Sequence, residues 1–242
     1  MATYVVILIL GLVAGVVSGV IGTGSSIILL PILVFEYGPK QSVPIMAIAA
    51  LMANLARLAA WWREVNWRAF AAYSLPGMPA AALGARTLLI LPSHVVDGAL
   101  ALFFLGMIPL RRWHRSQPFR IRLWQLAIAG ACIGFLTGVV LSTGPLSVPA
   151  FTSYGLLKGA FLSTEAASSL ALYVSKLITF RELGALPPAT IVRGISIGSS
   201  LMIGAFVGKA VVLRMRPAVF ERLLDALLLC SGLSLLWAAF AA

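Results

Sequence analysis

Acidic residues are scarce in this chain: Asp and Glu number seven in 242 residues, against eighteen Lys and Arg. Charged residues of both signs reach only 10%, whereas an ordinary soluble domain carries about 25%. So few charges cannot coat the surface of a soluble fold of this length. There are two cysteines, Cys132 and Cys230, each inside an apolar segment and neither in a CxxC pair. A disulfide framework and a thiolate metal site are therefore excluded, and both read as small core or lipid-facing residues. The two histidines, His94 and His114, fall in loops between apolar segments, and no HExxH is present. Neither is placed to activate a serine within an apolar segment. No glycine-rich loop ending in GK[ST] occurs, so the chain does not energise itself with ATP. The expectation is a protein that is not an enzyme and needs no cofactor or metal.

Apolar residues, by contrast, make up 61% of the chain, with a mean hydropathy of +1.02. Several apolar runs approach the roughly 20 residues that cross hydrocarbon as a helix. The segments expected to be helical are 4–22, 43–62, 67–91, 95–110, 121–141, 161–180, 189–212 and 219–240. The helix over 67–91 carries Pro76 and Pro79 and is expected to kink. The first run lacks a positive leading region and reads as mature structure, not as a signal peptide. A net charge of +11 would suggest nucleic acid in a soluble protein. Here the charges lie mostly between apolar runs and read as determinants of membrane orientation. No nucleic-acid partner is expected; membrane lipid is.

The chain repeats itself. An offset of 119 residues lays GLVAGVVSGVIGTGSS, from Gly11, on GACIGFLTGVVLSTGP, from Gly130. Gly11, Gly15 and Gly19 then meet Gly130, Gly134 and Gly138, while Arg57 meets Lys176 and Trp61 meets Phe180. Glycines, a basic residue and an aromatic in one ungapped register indicate duplication. The halves divide as residues 1–112 and 121–242, joined by a basic linker over 113–120.

Each half opens on an apolar run interrupted by small residues and followed by a tail too short to span a bilayer. Broken segments at matching positions of two halves point to a transport site, because irregular backbone at membrane depth must be buried in protein or line a wet cavity. Exposed N–H groups at a helix start favour an anion. The candidate site residues are Gly22, Thr23, Gly24, Ser25 and Ser26 in the first break and Ser142, Thr143, Gly144 and Pro145 in the second. Close packing through small residues is the competing explanation. Asn54, Arg57 and Lys176 join the list as polar groups within apolar helices, with snorkelling of the two basic chains as the alternative. Glu165 reads as an acid favoured by its helix N-terminus, with proton coupling as the other option.

If each broken element is re-entrant and each half adds three crossings, thirteen basic residues fall on one side. They are Arg57, Arg63, Arg68, the five arginines of 111–122, Lys158, Lys209, Arg214, Arg216 and Arg222. Lys40, Arg86, Lys176, Arg181 and Arg193 fall on the other. Treating every segment as a crossing removes most of the bias, so the positive-inside rule favours the re-entrant arrangement and a cytoplasmic linker. The expected fold is all-α: a polytopic membrane bundle of two inverted repeats, each a broken or re-entrant first element followed by three transmembrane helices.

Two stretches, GLVAGVVSGVIGTGSSIILLPIL from Gly11 and GFLTGVVLSTGPLSVPAF from Gly134, resemble the two signatures of the TauE/SafE sulfite exporter family. The resemblance covers nearly the whole chain. It implies a multi-pass permease of the bacterial inner membrane that moves sulfite, thiosulfate or an organosulfonate. It also implies that Gly15, Gly19, Gly22, Gly24, Gly134, Gly138 and Gly144 border the translocation region. Where the first signature usually has a glycine triplet, this chain has Gly24, Ser25 and Ser26, which adds two hydroxyls. Export by alternating access is the leading expectation, with import, an anion channel or an assembly subunit as rivals. Proton or cation coupling and a homodimer are left open.

Overall fold

The computed structural model describes residues 2–21, 25–92, 94–96, 98–103, 105–106, 120–140, 144–212, 229 and 233. The described secondary structure is helical. The helices are α1 (Ala2–Ile21), α2 (Ser25–Tyr37), α3 (Pro39–Trp61), α4 (Trp67–Ile90), α5 (Leu123–Val140), α6 (Gly144–Tyr154), α7 (Lys158–Glu182) and α8 (Pro188–Val212). Further helical residues lie within 94–106. The 119-residue offset carries each of the first four helices onto one of the last four, with bounds agreeing to within three residues.

Four of the eight segments match their expected bounds closely. Helix α3 starts four residues earlier than expected, because Pro39 is well suited to a first helical turn. Helix α7 extends at both ends, to Lys158 and Glu182. Helix α4 runs unbroken through Pro76 and Pro79. Its start is capped by Asn66, whose side-chain oxygen accepts from the Ala69 N–H at 3.0 Å. In each half the first element has one long and one short arm, in line with an apolar run followed by a tail too short to span a bilayer. Helices α1 and α5 have 20 and 18 residues, while α2 and α6 have 13 and 11. At 1.5 Å per residue the short arms reach only about 20 and 17 Å, well under the ~30 Å hydrocarbon core. Each short arm ends in a tight turn at a glycine of positive φ, Gly38 at 73° and Gly155 at 103°.

Among the described residues, Lys40–Ala59 and Leu123–Val140 are long and apolar enough to cross a membrane by length and composition. The surface carries the large apolar side chains that lipid requires: Phe35, Leu75, Ile90 and Val192 are all exposed. Trp62 and Trp67 are exposed as well, as suits side chains at a membrane–water interface.

Packing crosses between the two halves of the sequence. The most extensive contacts join α4 to α5 and α1 to α8, followed by α3 with α8, α3 with α7 and α4 with α7. Glycines make the first two seams. Gly130 lies against Tyr73, Gly134 against Gly77, and Gly138 against Ala81 and Gly84. Gly15 lies against Leu201 and Gly204 in the same way. A Cβ at any of these glycines would collide with a facing backbone carbonyl. Such backbone-to-backbone approach is how helices associate where lipid removes the hydrophobic drive between them. Gly15, Gly134 and Gly138 are therefore packing residues, and the expectation that they border a translocation region gives way to the competing explanation.

The contact order along each pair gives its direction. Tyr73, Gly77 and Ala81 meet residues 130, 134 and 138 in ascending order, so α4 and α5 run the same way. Ile48 and Met52 meet Gly194 and Gly198, so α3 and α8 also run together. Between α3 and α7 the order reverses. Arg57 meets Glu165, while Glu64, just past α3, lies against Gly159. The bundle is thus two sets of helices, α1–α3–α8 and α4–α5–α7, opposed in direction and meeting along α3 and α7.

A bulky side chain in a seam should separate it. Gly134→Leu is expected to lose monodispersity in mild detergent, or to unfold at a clearly lower temperature than the parent. Gly98→Ala, where an added methyl meets nothing within 4 Å, is expected to keep or slightly raise Tm, since alanine exceeds glycine by about 1 kcal/mol in a helix. Size-exclusion profiles and thermal unfolding of both variants check this.

Candidate functional site

The face between α3 and α7 holds the strongest electrostatic feature of the described residues. Arg57 Nη1 lies 2.9 Å from Glu165 Oε2, and both side chains are more than nine-tenths buried. The contact has ion-pair distance, but its alignment does not make a hydrogen bond. Arg57 Nη2 donates to Asn54 Oδ1, one turn back on α3. Asn54 in turn donates to the Ala50 carbonyl at 2.8 Å, which fixes its amide for the arginine. Glu165 Oε1 accepts from Ser169 at 2.8 Å on its own helix and from Ser147 at 3.2 Å on α6. Buried charges persist when paired and hydrogen-bonded in this manner.

Glu165 is eight residues into α7 and 2% exposed. Its reading as an acid held by a helix N-terminus is therefore corrected: it is half of an ion pair with the other half of the chain. Snorkelling is corrected likewise for both basic groups. Arg57 is buried inside the bundle, and Lys176 is fully buried. Lys176 Nζ donates to the Thr137 carbonyl at 2.7 Å and lies 5.3 Å from the centre of the Phe180 ring. Among the described residues, no carboxylate pairs with it.

These contacts bracket the second break. Thr137 stands in the last turn of α5, and Ser147 in the first turn of α6. Lys176 is held by the residue before the break and Glu165 by the residue after it. Gly144 and Pro145 are the first two residues of α6, the usual place for a helix-starting proline. Ser25 begins α2 and is buried, with Ser26 half-buried beside it. Gly22, Thr23 and Gly24, and likewise Ser142 and Thr143, lie outside the described residues. Of the expected site residues, the structure thus joins Asn54 to Arg57 and sets Lys176 beside the second break. The two halves differ here, since Met46 occupies the position that the 119-residue offset gives for Glu165.

Several polar residues near the pair were not singled out from the sequence. Ser168 and Ser169 lie on α7 with Glu165, and Tyr173 and Lys176 continue the same helix. Glu165, Ser169, Tyr173 and Lys176 recur at intervals of four, four and three, so a polar stripe was available as a signal. Tyr73 and Tyr173 are buried within reach of the Glu165 charge. The hydroxyls of Ser74 on α4 and Ser168 on α7 are buried without a hydrogen-bond partner, as is Arg57 Nε.

Residues 7–235 match the sequence profile of the family described as Sulfite exporter TauE/SafE. The chain belongs to that family. It is accordingly a membrane transport protein for a sulfur-containing anion. No curated protein and no solved structure matches the chain.

Removing one partner of a buried pair leaves the other charge uncompensated, at a cost of about 3–5 kcal/mol. Arg57→Ala and Glu165→Ala are each expected to destabilise by that order. The double variant Arg57→Met/Glu165→Met is expected to recover most of the loss. Chemical or thermal unfolding of the three detergent-solubilised variants, read as a double-mutant cycle, tests this coupling.

Proposed function

We propose that this chain is a multi-pass carrier of the bacterial inner membrane, built from two inverted repeats, that exports a small sulfur anion (sulfite, thiosulfate or an organosulfonate) by alternating access. The observation that carries this reading is the second break, bracketed by a buried lysine on one side and a buried arginine–glutamate pair on the other. A lysine with no carboxylate partner among the described residues, beside the start of a short helix, is an arrangement suited to an anion, because a helix start presents N–H groups and a positive dipole end. The opposed directions of α3 and α7, which the repeat makes equivalent, support the inversion. An inside-negative membrane potential favours outward movement of an anion by about 2.3 kcal/mol per charge per 100 mV.

The seams bear on what moves. Because α1 is fastened to α8 and α4 to α5, the moving bodies in this proposal are not the two halves of the sequence. One body is α1, α2, α3 and α8; the other is α4, α5, α6 and α7. They meet at the α3–α7 face, where the ion pair lies.

Purified protein in liposomes loaded with sulfite, thiosulfate or a sulfonate is expected to release at least one of them faster than protein-free vesicles. Failure with all of them overturns the reading. Lys176→Met is expected to lower efflux about tenfold or more, the effect of deleting one charge-assisted hydrogen bond to the anion. For topology, a single cysteine at Ser116 in a variant lacking Cys132 and Cys230 should react with a membrane-impermeant thiol reagent in inverted vesicles and not in intact cells.

A further inference from the structure

The carboxylate of Glu165 sits where an anion of the proposed function would be expected. It faces a buried guanidinium, accepts a hydrogen bond from Ser147 in the first turn of α6, and accepts a second from Ser169. Arg57 Nε and Nη1, both buried, make no hydrogen bond, and neither does Glu165 Oε2. The carboxylate is thus not aligned to engage these two donors; a sulfur oxyanion has three or more oxygens to offer them. The guanidinium carries five N–H donors in a fork suited to oxyanions.

We propose that Glu165 is a tethered anion holding the substrate's place on Arg57, and that the substrate displaces it as the carboxylate takes up a proton. The inference rests on the transport reading given above and specifies its binding step. The proton is required by the surroundings. A carboxylate released from Arg57 would remain charged inside an apolar bundle, at high cost, unless neutralised. Among the described residues, the groups facing it supply no second cation. They are Arg57 from α3, Tyr73 from α4, Ser147 from α6, and Ser169 and Tyr173 from its own helix. The balance is simple: the substrate anion and one proton enter together, the Arg57–Glu165 contact opens, and Arg57 pairs with the substrate while Glu165 becomes a neutral acid. Since the pair also bridges α3 and α7, the same event frees the face along which the two bodies meet. The first repeat has Met46 at the corresponding position, so this acid is not duplicated there.

Thiosulfate is the suitable probe, because it stays fully ionised across the neutral range and its own titration does not intrude. Binding to the purified full chain in detergent, measured by calorimetry between mildly acidic and mildly basic pH, is expected to tighten by up to about tenfold per unit fall in pH. A pH indicator in weak buffer is expected to record uptake of one proton per thiosulfate bound. Glu165→Gln is expected to bind thiosulfate more tightly than the parent at neutral pH, with no dependence on pH and no proton uptake. Arg57→Gln is expected to weaken binding at least tenfold in either background. If Glu165→Gln does not fold, the indicator measurement on the unmodified chain still decides. Thiosulfate that binds without proton uptake, and equally at every pH, overturns the inference and leaves the transport reading standing. If the unmodified chain neither binds nor moves any sulfur anion, the transport reading fails and the inference with it.

Discussion

A guanidinium and a carboxylate buried together inside an apolar bundle are a constraint on everything around them. Neither charge can be left alone, so the helices that carry Arg57 and Glu165 must meet at one register. Asn54 and Ala50 fix the arginine from α3, while Ser169 and Ser147 fix the glutamate from α7 and α6. One contact thereby ties the third helix of one half to the third helix of the other and positions the short arm that follows the second break. A buried pair of this kind adds little net stability compared with apolar residues of the same volume. Its value lies in specifying an arrangement and in being a contact that another charge could break.

The glycine seams play the opposite part. Along α4–α5 and α1–α8 the backbones themselves touch, through Gly77, Gly84, Gly130, Gly134 and Gly138 on one side and Gly15 and Gly204 on the other. At these glycines the facing group is backbone, which cannot change rotamer to accommodate sliding. These faces are suited to staying shut, and the α3–α7 face, closed by polar contacts, is suited to opening.

Much of this architecture could be read from the sequence. Apolar content and scarce acids indicated a membrane protein, and the match of Gly11–Gly19 to Gly130–Gly138 located the duplication that the helix bounds repeat. Residues 22–24 and 141–143, where the interruptions were expected, lie outside the described residues, between α1 and α2 and between α5 and α6. Arg57 and Lys176 were picked out because charge is costly in hydrocarbon. What could not be read was partnership. That Arg57 pairs with Glu165 depends on two helices meeting across the whole length of the repeat, and local pattern carries no such information. Glu165 was assigned to a helix start because its helix was taken to begin at Phe161 and not at Lys158. The seam glycines were placed at the translocation region because a glycine that admits a ligand and one that admits a neighbouring backbone look alike in sequence.

The pairing of α1 with α8 also bears on how the chain is made. Helix α4 meets its seam partner as soon as α5 follows it, but α1 is synthesised first and must await residues 188–212. Throughout that interval its glycine face, including Gly11 and Gly15, has no mate from this chain and rests against lipid or a transient escort. Contacts so distant in sequence close slowly, and a chain of this size exposes its unfinished surfaces during assembly. Helix α1 is thus made well before it can be seated, and substitutions in its glycine face would be felt late in biogenesis, after most of the bundle already stands.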